Sequence, residues 1–180
     1  MGTTVRTLLT ALATVALVSP VFAQGVFAQG KGEIATAQLK TRDGKAAGEV
    51  TLHQTPNGVL IRASFDGLPA GEHAIHLHEK GSCQPPDFES AGGHFAPDGR
   101  RHGFKDQKGA HAGDLPNVDI PESGTASVEM FTSRVTLRSG KASLLDRDGA
   151  AVVVHARPDD YTTDPAGNAG DRIACGEIKG

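Results

Sequence analysis

Two histidines separated by one residue, His76-Leu77-His78, lie in a stretch (74–79) where apolar and polar residues alternate. That alternation predicts a β-strand, whose side chains at i and i+2 leave from the same face. The two imidazoles therefore stand side by side, while Ile75 and Leu77 point to the opposite face. Two neutral imidazoles on a rigid element make half of a transition-metal site. The chain supplies more of the same chemistry. Six of its eight histidines fall in three groups: His76/His78, His94/His102/His111, and His155 after the run Ala151-Val152-Val153-Val154. Asp114 follows His111 by three residues and sets a hard carboxylate beside an imidazole. Three histidines and an aspartate suit tetrahedral zinc, and an all-imidazole set suits copper. His53, outward beside Thr51, reads as surface. His73 shares the face of Ile75 and Leu77 and reads as a core histidine satisfied by backbone.

The elements that must position these residues are short strands. Alternating runs at 33–40, 49–54, 59–65 and 74–79 are separated by Asp43-Gly44, Pro56-Asn57-Gly58 and the segment 67–71. Further runs follow at 125–131, 134–137, 150–155 and 172–178. About eight short strands with closely spaced turns predict an all-β, Greek-key sandwich or barrel. Two segments break the rhythm. Residues 80–123 and 156–171 are long and aperiodic, and such loops need something other than apolar burial to order them. The first contains His94, His102, His111 and Asp114; the second contains Asp159 and Asp160. A bound metal is the expected source of that order.

The net charge of −3 gives no nucleic-acid surface. Residues 1–28 read as an export signal. Arg6 leads an apolar run, 8–18, too short to span a bilayer, and Val21-Phe22-Ala23 repeats as Val26-Phe27-Ala28. Cleavage after Ala23 or Ala28 leaves one domain, 29–180, one unit more negative and with no membrane span. Cys83 and Cys175 are the only cysteines. An even count in an exported chain suggests one disulfide, worth about 4–5 kcal/mol for so long a loop; two buried thiols are the alternative.

The joint pattern resembles the copper–zinc superoxide dismutases in their bacterial exported form. The matching pieces are residues 71–83, Gly92-Gly93-His94-Phe95, His102-Gly103, His111-Ala112-Gly113-Asp114-Leu115-Pro116-Asn117, Val153-Val154-His155, Asp159-Asp160 and residues 167–176. The resemblance implies an eight-stranded Greek-key β-barrel with metals on its outer wall and long metal-binding and active-site loops. It implies copper on His76, His78, His94 and His155, and zinc on His94, His102, His111 and Asp114, with His94 bridging both. Two flanking cations make loss of both ring protons chemically reasonable. Asp159 would link a copper histidine to a zinc histidine, Arg172 would draw the anionic substrate, and Cys83 would pair with Cys175.

The implied reaction is disproportionation of superoxide, with copper cycling between oxidation states and His94 carrying a proton. Arg100, Arg101, Lys105 and Lys108 are candidate steering residues for an anion approaching a negative protein. The implied compartment is the periplasm. Branches of the family differ in dimer geometry, so monomer and homodimer both stay open. Two competing readings use the same residues differently: an exported copper or zinc buffer, and a purely structural β-sandwich.

Overall fold

In the computed structural model, which describes residues 1–2 and 33–180, nine β-strands carry almost all the regular structure. The export segment expected at 1–28, with both candidate cleavage points, lies outside the described residues apart from its first two. No helix among the described residues is long and apolar enough to cross a membrane.

The first three strands, β1 (Ile34–Thr41), β2 (Ala46–Thr55) and β3 (Gly58–Asp66), form an antiparallel meander. Their alternation buries Ala35, Ala37, Leu39, Val50, Leu52, Val59, Ile61 and Phe65 on one face. The remaining strands are β4 (Gly71–His73), β5 (Ile75–His78), β6 (Val118–Ile120), β7 (Thr125–Thr132), β8 (Ala151–His155) and β9 (Arg172–Glu177). They complete a curled antiparallel half-barrel in the order β5-β8-β9-β1-β2-β3-β7, with β4 and β6 paired separately. The chain thus leaves β3 and reaches β5 at the opposite end of the sheet. That long-range jump brings His76 and His78 beside β8.

The all-β class expected from the sequence is borne out, with two local differences. Residues 134–137 are not a strand. Val135 and Leu137 are buried, but the segment's only bridge is Thr136 to Ser143, and the Gln54 carboxamide oxygen accepts from Thr136 Oγ1 and Leu137 N instead. The short β4–β6 pair has only three residues on each side, too few for its periodicity to stand out.

β8 is buried on both faces, which explains its unbroken apolar run. Val152 and Val154 face the main core with Ile75 and Leu77. Ala151 and Val153 face outward into a small second cluster with Phe88, Ala91 and Cys175. The loop 80–117 covers this outer wall, and the Cys83–Cys175 disulfide ties it to β9. The two-thiol alternative therefore falls.

The second loop, 156–171, is ordered by polar contacts within the protein. Asp160 accepts from the Thr162 and Thr163 amides, Thr163 Oγ1 and Asn168 Nδ2. Asn117 accepts the Asp159 amide and donates to the Asp159 carbonyl, while its own amide donates to Tyr161 Oη. Order in this loop does not depend on a cation alone.

Candidate metal centre

Strand β5 delivers His76 and His78 to the outer wall, where both rings are fully covered by the loops. His155 ends the adjacent β8, and an isolated bridge between His78 and His94 sets His94 alongside. The acceptor behind each ring fixes its tautomer. His78 Nδ1 donates to the Gly92 carbonyl at 3.0 Å and His155 Nδ1 to the Gly170 carbonyl at 3.2 Å. His76 Nε2 donates to Asp159 Oδ2 at 3.0 Å. A nitrogen facing an oxygen acceptor carries the proton, so the lone pair sits on the other nitrogen. Among the described residues, His76 Nδ1, His78 Nε2 and His155 Nε2 are buried without a partner, and so is His94 Nε2. These four histidines can offer ligand atoms lying within 4.8 Å of one another. Buried lone pairs without donors are costly, and a cation that accepts all four removes the cost.

The other side of the His94 ring belongs to a second group. Its Nδ1 lies 2.8 Å from Asp114 Oδ1, and Nδ1 of His102 and of His111 each lie 3.2 Å from the same oxygen. His94, His102, His111 and Asp114 also offer ligand atoms within 4.8 Å of one another. Asp114 Oδ2 accepts the amides of Gly103 and His111, which aims the carboxylate. The structure therefore brings together seven of the expected ligand residues in two groups that share one ring. An all-imidazole set fits copper, and three imidazoles with a carboxylate fit zinc.

Asp159 joins the groups from behind, with Oδ2 on His76 Nε2 and Oδ1 on His102 Nε2 at 2.9 Å. Gly167, at φ +63°, passes so close that a Cβ there would overlap the Asp159 carboxylate, so the position requires glycine on two counts. Asn117 and Gly167 stand within the matching pieces, but their roles, like that of Tyr161, escape sequence reasoning because they lie in contacts that no ligand-type residue marks.

Burial separates the two sides electrostatically. Desolvation, reinforced by neighbouring His94, pushes His78 well below its ordinary value. Burial likewise takes His94 down to about 4, against the pull of Asp114, and His155 down to about 3, helped by His76. His102 behaves oppositely. Burial works against its charge, but hydrogen bonds to Asp114 and Asp159 prevail and raise it to about 9. Both carboxylates resist the same desolvation. Bonds from His102, His111 and His94 hold Asp114 far below the usual carboxylate range, and bonds from His102 and His76 lower Asp159.

Arg172 opens β9 beside His155 in the ladder. Its Nη1 donates to the Phe88 carbonyl at 2.7 Å and its Nη2 to the Gly92 carbonyl at 2.8 Å. The Gly92 carbonyl therefore orients both this half-buried guanidinium and the ring of His78. Of the four candidate steering residues, Arg101 lies near Asp106 and Asp164 at 3.8 and 3.9 Å, and the Lys105 ammonium sits over the Tyr161 ring. Arg100 donates to the Gly109 carbonyl, and Lys108 is exposed.

Comparison with known proteins gives a consistent picture. Residues 46–178 match the family model described as copper/zinc superoxide dismutase. The chain is 48% identical over 147 residues to "Superoxide dismutase [Cu-Zn] 2" of Aquifex aeolicus, covering 81% of this chain and 86% of that one. It is 47% identical to "Superoxide dismutase [Cu-Zn]" of Caulobacter vibrioides, covering 81% and 85%. Among solved structures, a SOD-like protein from Bacillus subtilis superposes with a TM-score of 0.76 at 43% identity, covering 79% and 96%. The Cu/Zn superoxide dismutase from Brucella abortus gives 0.67 at 26% identity, covering 82% and 100%.

Proposed function

This chain belongs to the copper/zinc superoxide dismutase family, and we propose how its own residues divide the work of turning superoxide into dioxygen and hydrogen peroxide. His76, His78, His94 and His155 hold copper; His94, His102, His111 and Asp114 hold zinc. When bound, copper supplies the one-electron couple for both half-reactions, and zinc supplies fixed positive charge beside the shared ring. The observation that carries this reading is the position of His94. Its Nδ1 faces Asp114 in one donor group, while its Nε2 is buried and unpartnered in the other.

Each chain residue then has a definite task. His94 Nε2 holds a proton in one half of the cycle and gives it up in the other, while the zinc-side residues keep the ring in place. The carbonyls of Gly92 and Gly170 and the carboxylate of Asp159 hold three ring protons away from the ligand atoms. Arg172, anchored at two carbonyls, offers its charge to the incoming anion. Arg100, Arg101, Lys105 and Lys108 add to the positive field over the loop 80–117.

Residues 1–28 are the export signal, cut after Ala23 or Ala28, and the periplasm is the working compartment. The apolar run 8–18, the small-residue motif and a disulfide suited to an oxidising space support this placement.

The test is to load the purified mature protein with copper and zinc, confirm both by elemental analysis, and measure superoxide loss against ionic strength. kcat/KM should fall with salt, and Arg172→Ala should lower it about tenfold and flatten the dependence. Full activity in that variant would remove Arg172 from the anion path.

A further inference from the structure

Arg42 lies 130 residues from Arg172, in the hairpin between β1 and β2, yet its Nε donates to the backbone carbonyl of Arg172 at 2.7 Å. Its Nη2 reaches Asp171 Oδ2 at 3.1 Å. One guanidinium fork thus grips two consecutive residues at the start of β9, a geometry that a lysine cannot reproduce.

The sheet explains why a side chain is needed there. Within the ladder, β1 pairs with β9 only at Lys40–Cys175 and Thr41–Ala174 before turning away through the hairpin, where Thr41 N donates to the Lys45 carbonyl. On the other flank, the β8–β9 register shifts between Val154 and His155. The His155 amide is given to the Ala74 carbonyl and the Ala156 amide to the Asp171 carbonyl. Arg42 therefore takes over on the β1 flank, where the ladder ends at Thr41–Ala174, while β8 holds the same segment only across a register shift. The head of Arg172 is fixed by the Phe88 and Gly92 carbonyls, and its root by Arg42.

We infer that Arg42 is a positioning residue for Arg172, setting the backbone from which the anion-drawing guanidinium is aimed. The inference rests on the proposed role of Arg172. The ordinary alternative is an exposed Arg42–Asp171 ion pair of little consequence, since the two side chains are 40% and 73% exposed. A small displacement of a binding group lowers affinity for the bound anion, and that effect distinguishes the two.

The measurement is azide binding to the copper- and zinc-loaded protein, followed by the copper absorption band, with azide standing in for superoxide as a small anion. Arg172→Ala should weaken azide by about tenfold. Arg42→Lys preserves charge but not the fork; it should weaken azide about three- to fivefold with metal content and Tm unchanged, and add nothing in the Arg172→Ala background. Wild-type affinity in Arg42→Lys, with Arg172→Ala impaired, overturns the positioning role and leaves Arg172 standing. Wild-type affinity in Arg172→Ala overturns both. Should Arg42→Lys lose stability or metal, Asp171→Asn replaces it. That variant keeps the Nε bond and weakens the second contact, so azide should weaken about twofold, and no change overturns the inference.

Discussion

On one side of the His94 ring, four buried nitrogens with open lone pairs converge; on the other, three imidazoles crowd one oxygen of Asp114. The first side is built mostly from strand residues, and two of its rings, His78 and His155, take their tautomers from backbone carbonyls that add no net charge. The second is built from loop residues around a carboxylate, and in the absence of metal its polar groups satisfy one another. His102 faces Asp114 with one nitrogen and Asp159 with the other, so both nitrogens carry protons. The proposed copper half is thus ready to receive a cation without first losing a proton, whereas zinc must clear the ring protons that His94, His102 and His111 direct at Asp114. The same residue type serves two chemistries because its acceptors differ.

The strongest way to break this comparison is to remove a member of each half from the metal-free protein. Asp114→Ala should destabilise it by about 3–5 kcal/mol, because a buried carboxylate paired with three rings and two amides leaves them stranded. His78→Ala should cost about 1 kcal/mol, since the Gly92 carbonyl keeps its bond from Arg172. Urea unfolding of both apoproteins measures the difference; equal losses would erase the distinction between the halves.

Asp159 is the one side chain that both halves share from behind, and Asp159→Asn should sharpen the contrast. If the new amide donates to His76 Nε2, the ring proton must move to Nδ1, where it faces the copper ligands. Copper affinity should then fall about 10- to 100-fold, with zinc affinity less affected, in competition titrations with a chelator. Equal losses of both metals would mean that the carboxylate acts through the loop rather than through tautomers.

The metal-free protein should also report the two halves through pH. His94 and His155 have lowered values, so their contribution is complete above about 6.5 and is lost as pH falls toward 4 and 3. His102 has a raised value, so its contribution is complete below about 6.5 and is lost as pH rises through 9. Tm of the apoprotein should therefore peak near pH 6.5 and drop by several degrees on either side, while metal loading flattens the curve. A curve that climbs steadily into alkali would contradict the charged state of His102.

These contrasts explain what could be read in advance. The His76-Leu77-His78 alternation, the apolar run before His155 and the histidine spacing are local, and a strand displays them directly in its residue order. His73 was legible for the same reason: it is buried, with its ring between the His155 and Pro69 carbonyls. The order of the two loops was not legible. A metal is the natural agent for aperiodic chain, yet Asp160, Asn117 and Tyr161 hold residues 156–171 through contacts that span up to 44 positions. Residues 134–137 misled because Val135 and Leu137 alternate into the core as a strand would, while Gln54 takes the place of a ladder.

The smallest expected effect tests whether those loop contacts matter to the copper half more than to the zinc half. Tyr161 Oη accepts the Asn117 amide at 2.8 Å, and the Asn117 side chain holds the Asp159 backbone from both directions. Tyr161→Phe leaves one amide without an acceptor and should cost about 1 kcal/mol. Because Tyr161 is the only tyrosine in a chain without tryptophan, unfolding must be followed by circular dichroism. Hydrogen exchange should quicken at the Asn117 and Asp159 amides and stay slow at Gly103 and His111, whose amides are held by Asp114. Uniform quickening across both sets would show the two loops opening as one unit, and the independence of the halves would end at the shared ring of His94.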